Sequence, residues 1–210
     1  ELAHGGAQAL PKLPVDGGMG KDPLHADAAL PGLVVGAADQ ALDDVVEAGA
    51  GIGGLTTALM LHARGIPCRL YEAAPALREL GVGINVLPHA IRELAGLGLL
   101  PTLDRIAIRT SDLFYMNRQG QEIWREPRGV EAGHDVPQFS VHRGRLQAML
   151  QDAVLDRLGP EAVMAGRRAT GFSQDGGGVT LNFDDGAAAR GDLLVGADGI
   201  HSRIRAQMHP

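Results

Sequence analysis

Residues 43–55 read DDVVEAGAGIGGL, and the glycine spacing in that stretch narrows the possible folds more than anything else in the chain. Gly49, Gly51 and Gly54 form a GxGxxG pattern. Val45 to Ala48, in front of it, reads as a short strand. Leu55 to Arg64, behind it, carries small and apolar residues at helical spacing and stops at Gly65. A second strand, CRLYE at 68–72, follows. Strand, glycine turn, helix and strand within about 30 residues match a nucleotide-binding βαβ unit.

Each glycine has a physical task in such a unit. Gly49 permits the tight turn out of the strand. Gly51 lets backbone approach a pyrophosphate with no side chain in the way. Gly54 lets the helix pack close to the sheet. Ile52 and Gly53 complete the turn, where the helix start offers free N–H groups and a partial positive charge to phosphate. Glu72, 18 residues past Gly54, ends the second strand. A carboxylate there accepts hydrogen bonds from ribose hydroxyls and repels a 2′-phosphate. The expected tight ligand is therefore FAD or NAD rather than NADP. One residue sits badly in this frame: Glu47 lies inside the first strand, which belongs mid-sheet and under cover on both faces.

The rest of the chain reads as α/β. Pro88 opens a helix with Ile91, Leu94 and Ala95 on one stripe, ended by Gly96 and Gly98. TSDLFYMNRQGQEIWR at 110–125 predicts a hairpin turning at NRQG, an insert of about 108–127. Arg143 to Leu158 predicts an amphipathic helix with Leu146, Met149, Leu150, Ala153 and Val154 on one face. Strands near 168–173, 179–183 and 192–196 follow, with turns at DGGG and DDG, and DLLV suits a strand buried on both faces. Residues 1–43 differ: Ala, Gly and Pro fill almost half of them, no periodicity is sustained, and disorder or a foreign origin is expected.

Composition excludes several classes. Net charge is −6, with no basic cluster beyond Arg203 and Arg205, which argues against a nucleic-acid surface. No apolar run approaches a membrane span, and no signal peptide is evident, so the cytoplasm is the expected compartment. The single cysteine, Cys68, rules out an internal disulfide and a Cys-rich metal site, and no metal is expected.

Three more stretches bear on the ligand: GVGINVLPHA at 81–90, SVHRGRLQAML at 140–150 and LLVGADGIHSRIR at 193–205. With GAGIGGL and YEAAPALREL they resemble the single-component FAD-dependent aromatic hydroxylases. The segment REPRGVEAGHDVPQFSVHRGRLQ is similar to the phenazine-modifying members. The resemblance covers about residues 44–210. It implies a Rossmann-like FAD-binding domain of the glutathione-reductase type, with an inserted hairpin and a β-meander, cut before the rest of the substrate domain. It implies that Gly49, Gly51 and Gly54 take the FAD pyrophosphate, Glu72 the adenosine ribose, and that Ala73 lies beside adenine. Gly83 and Ile84, in the 81–85 loop, would pass near the flavin ring. Arg143 would reach FAD phosphates or the ribityl side, the Arg167 backbone would contact adenine, and Asp198 would sit near the pyrophosphate. A bridging water, or capping of the next helix by Asp198 or Ser202, would explain an acid beside a phosphate.

The implied activity is NAD(P)H-dependent hydroxylation of an aromatic or heteroaromatic substrate by O2, through a flavin C4a-hydroperoxide, with NAD(P)H bound transiently. No residue is assigned a catalytic role. The family's third fingerprint, an aspartate-bearing GD motif, has no counterpart here, so the 210-residue chain is expected to be an inactive portion. The alternatives are a non-catalytic FAD- or ADP-binding module and an NAD-dependent dehydrogenase.

Overall fold

The computed structural model describes residues 33–35, 42–76 and 81–210. The expected disorder of residues 1–43 falls largely outside these, as do residues 77–80 of the YEAAPALREL motif. The described residues all lie in one compact unit, Pro31–Pro210.

Its centre is a five-stranded sheet. β2 (Val45–Ala48), β3 (Cys68–Glu72), β9 (Val163–Ala165) and β13 (Leu193–Gly196) run parallel, in the spatial order β13-β2-β3-β9. β1 (Leu33–Val35) adds an antiparallel edge beside β13. Three residues of the segment expected to be featureless are thus a strand, because LVV, with two β-branched valines, is an aliphatic run beside an open parallel edge.

Helix α1 (Ile52–His62) crosses between β2 and β3, and α4 (Arg143–Leu158) packs beside it. The predicted strands at 45–48 and 68–72 and the helix at 143–158 match the observed bounds. The helix predicted from Leu55 begins three residues earlier, inside the glycine motif, since the turn at Gly49 and Gly51 already feeds helical backbone at Ile52.

The sheet alternation splits the core in two. Val45, Leu70 and Leu193 join Leu55, Ala58, Leu59, Leu146 and Leu150 in one cluster. Val46, Ala48, Tyr71 and Leu194 join Val179, Leu181, Phe183 and Ile204 in the other. The second face is therefore covered mainly by a meander of β10 (Ala169–Asp175), β11 (Gly178–Phe183) and β12 (Ala188–Gly191), with Ile204 added from the chain's last helix. Tyr71 stacks on Phe183 across that interface, ring centroids 4.8 Å apart. An apolar strand requires cover on both faces, and a sheet supplies it as well as a helix does. The last predicted strand, 192–196, leaves the meander and returns to the central sheet as β13.

A second sheet pairs β4 (Gly83–Val86), β8 (Gln138–His142) and β5 (Ala107–Thr110). The hairpin is β6 (Asp112–Met116) and β7 (Glu122–Pro127). It is shorter than the 108–127 insert expected, because Ile108 to Thr110 pair with β8 instead. Helices α2 (Pro88–Gly96) and α3 (Leu100–Ile106) join these sheets, and α5 (Arg203–Met208) closes the described chain. No described helix is long and apolar enough to cross a membrane.

Candidate functional site

The carboxyl ends of β2, β3 and β13 open into a cleft of about 800 Å³, where open α/β sheets place their ligands. Gly49, Gly51, Glu72, Ala73, Arg143, Arg167 and Asp198 all line it. Ile52, Gly53 and Gly54 do not line it but form the first turn of α1. That turn has no acidic side chain and no side-chain cap, so its leading amides are free. Gly83 and Ile84 also stand off the cleft. They pair with His142 and Val141, one step from Arg143.

The loop is held by its surroundings rather than by its own side chains. Gly49 has φ +106° and donates its N–H to Tyr71 O at 2.8 Å. A Cβ on Gly49 would stand 2.3 Å from Ala197 O, and one on Gly54 would stand 2.0 Å from Gly49 O. A Cβ on Gly51 would meet nothing within 4 Å. Two glycines are thus required by packing, while the third keeps open space.

Glu72 does more than face the cleft. Its Oε2 accepts the Ala50 N–H at 2.8 Å, and its Oε1 accepts the Ala74 N–H at 2.8 Å. Each oxygen keeps a further lone pair for a ligand hydroxyl. Arg167 donates its backbone N–H to Glu72 O at 2.8 Å, and its guanidinium pairs with Asp185. Arg143 emerges from the start of α4, against Gly81, where a Cβ would come within 3.1 Å of the Arg143 Cβ. Its guanidinium has no partner among the described residues, which leaves it free for a phosphate.

Asp198 is turned inward. Its Oδ1 accepts the Ser202 hydroxyl, and its Oδ2 accepts Arg203 N–H at 2.7 Å and Ile204 N–H at 3.3 Å. Ser202 in turn accepts Arg205 N–H at 2.9 Å. Ser202 is the N-cap of α5, and Asp198 takes the helix's first two amides, with its charge against that helix's positive end. Arg205 donates to Ile200 O at 2.6 Å and locks the same turn.

Sequence reasoning missed Gln147 and Arg203, which also line the cleft. Gln147 stands one helical turn after Arg143, a spacing that puts both on one face. Arg203 sits within the DGIHSRIR stretch already singled out. Four arginines line the cleft; Arg167 and Arg168 pair with Asp185 and Asp184, which leaves Arg143 and Arg203 to face an anionic ligand.

Directly under the loop lies Glu47, with no exposed surface and no hydrogen-bond partner on either oxygen. One oxygen is 3.1 Å from where a Gly54 Cβ would be. Burial pushes its carboxyl well above the usual carboxylate range. Burial, then the nearby Glu47 and Asp44, push the Cys68 thiol up to about 12, so Cys68 acts as a small buried hydrophobe. No described group of His, Cys, Asp or Glu is arranged to hold a metal.

The cradle, the open face of Gly51, the free amides of α1 and the unpaired Arg143 fit the pyrophosphate and ribose of a dinucleotide. Comparison with known proteins agrees. Residues 43–209 match the model of the FAD binding domain. Phenazine 1,6-dicarboxylic acid hydroxylase PhzS of Lysobacter antibioticus is 46% identical over 180 residues, covering 80% of this chain and 43% of that protein. Salicylate hydroxylase of Pseudomonas putida is 38% identical over 169 residues, covering 76% and 37%. The crystal structure of Klebsiella pneumoniae HpxO with FAD and uric acid superimposes with a TM-score of 0.66 at 32% identity, covering 77% of this chain and 40% of that one. The chain thus spans about two fifths of the length of the relatives it matches.

Proposed function

The chain belongs to the FAD binding domain family, and from that premise we propose that its cleft holds the adenosine and pyrophosphate of FAD. The carrying observation is the loop at residues 49–54: packing demands glycine at its two ends, yet leaves open space at Gly51, beside Glu72 and a free Arg143. In this reading Gly51 and the first amides of α1 take the pyrophosphate. Glu72 accepts the ribose hydroxyls, Ala73 and the Arg167 backbone border the adenine, and Arg143 reaches a phosphate from the opposite wall. Asp198 acts through the turn it caps. Gly83 and Ile84 extend the site along β4 toward the flavin ring.

At the level of the relatives' full length, the proposed activity is hydroxylation of an aromatic or heteroaromatic ring, with NAD(P)H as transient reductant and O2 as co-substrate. Bound FAD supplies the redox chemistry. The protein's part is to bind, orient and exclude water.

Gly51→Ala tests the site. Its backbone, φ −73° and ψ −175°, accepts alanine, and the methyl meets no protein atom. Stability should change by about 1 kcal/mol or less, while FAD affinity, read by flavin fluorescence, should fall at least about tenfold as the methyl enters the phosphate's space. Unchanged affinity in a folded variant would sink the assignment. A wild-type chain that takes up no flavin would sink it sooner.

A further inference from the structure

The peptide planes that lead into α1 are pinned one after another. The plane between Ala48 and Gly49 is held at both edges, by Ala197 N–H to Ala48 O and by Gly49 N–H to Tyr71 O, each at 2.8 Å. The next plane is held by Ala50 N–H on the Glu72 carboxylate. The plane between Ala50 and Gly51 is held by Gln147, whose Nε2 donates to Ala50 O at 3.2 Å across 97 residues of sequence. Beyond it the helix takes over, with Leu55 N–H on Gly51 O at 2.9 Å.

We propose that Gln147 is a positioning residue for the cofactor loop: by holding the Ala50 carbonyl it fixes the direction of the Gly51 N–H before the ligand arrives. The inference rests on the FAD reading above. Its physical basis is the planarity of the peptide group. The Ala50 C=O and the Gly51 N–H belong to one rigid unit and point in opposite directions, so holding the oxygen orients the amide. The hold matters because the flanking residues are permissive. Gly51 has no side chain, and nothing within the βαβ unit grips this plane. A loop held in its bound shape loses less freedom on binding, which raises affinity without any new ligand contact. The same helix face also presents Arg143, so α4 supplies both a phosphate ligand and the clamp on the loop that faces it.

The test uses the whole 210-residue chain with Gln147→Met, which keeps the length and loses the donor, and Gln147→Lys, whose ammonium can still donate to Ala50 O. In the ligand-free proteins, the 15N order parameter of the Gly51 amide should fall from about 0.85 in wild type to below about 0.7 in the methionine variant. It should stay near wild type in the lysine variant. The FAD dissociation constant of the methionine variant should rise about threefold to tenfold, the range one neutral hydrogen bond supplies. An unchanged dissociation constant overturns the proposal. So does weaker binding with an unchanged Gly51 amide, which would make Gln147 a direct ligand contact only. If wild type binds no FAD, the cofactor reading fails, and the order parameters still decide whether the clamp exists.

Discussion

A Glu47→Ile variant is expected to melt about 6–12 °C above the parent chain near neutral pH, the shift that about 3 kcal/mol gives a domain of this size. Glu47 sits in the second strand from one edge of the parallel sheet, between Leu70 on β3 and Val195 on β13. It is fully buried, and neither oxygen meets a donor. An ionised carboxylate in that setting costs several kcal/mol. A neutral one still leaves an acid group without partners, at about 1–3 kcal/mol. Isoleucine is close in size, suits a strand and carries neither cost. The loop ligand should benefit as well, because no charge can then form beneath the pyrophosphate. An unshifted melting temperature with unshifted flavin content would count against both effects.

The same residue sets a pH dependence. Burial raises the folded carboxyl well above the usual carboxylate range, while the unfolded chain titrates within that range. Between the two values the folded state holds one proton more than the unfolded state. Stability is therefore full at the acid end and falls as pH rises, by about 1.4 kcal/mol per pH unit, until the folded carboxyl itself ionises. The faces packed on Glu47 offer no cation to reverse the sign: α1 is uncharged from Ile52 to Leu61, β13 is apolar, and β3 contributes Cys68. Denaturant titrations at several pH values should show this slope in the parent chain, and the isoleucine variant should lack that component. Glu47→Gln separates the causes, since it removes the slope but keeps an unpartnered polar group.

What the sequence made legible was local. Val45–Ala48, Cys68–Glu72 and Arg143–Leu158 each carry their periodicity and their stop signals within a few residues, so their bounds could be read directly. The glycine loop and Glu72 were legible because their spacing is fixed by one supersecondary unit. What escaped depends on distant pairing. Leu33–Val35 is a strand only because β13 offers an edge. Ile108–Thr110 leaves the hairpin only because β8 competes for it. Gln147 reads as an ordinary helix residue until the fold sets it against Ala50. Asp198 and Ser202 were legible as the start of a helix. Which of them would take which amide of α5 was not.

Gly54→Ala should reverse the usual rule for glycine in a helix. Inside an exposed helix the change gains about 1 kcal/mol by helix propensity. At Gly54 the added methyl would lie 2.0 Å from Gly49 O and 3.1 Å from a Glu47 oxygen. Contact distances require a displacement of more than about 1 Å, and neither partner can yield it. Gly49 is wedged in turn: at φ +106° its backbone excludes most other residues, and its own Cβ position is blocked by Ala197 O. Helix α1 must therefore lift from the sheet, loosening Leu55, Ala58 and Leu59 in the core beneath it. Overpacking of this kind costs about 1–3 kcal/mol or more. The neighbouring residue supplies the control, since a methyl on Gly53 meets nothing within 4 Å, and Gly53→Ala should be neutral or gain up to about 1 kcal/mol. Urea titrations should place Gly54→Ala below Gly53→Ala by at least about 1 kcal/mol, and by about 4 kcal/mol where both effects are full, with unchanged m-values. A Gly54→Ala chain as stable as Gly53→Ala would mean that the helix does not press on the loop as described. The close approach that brings its free amides to the cleft would then lose its structural basis.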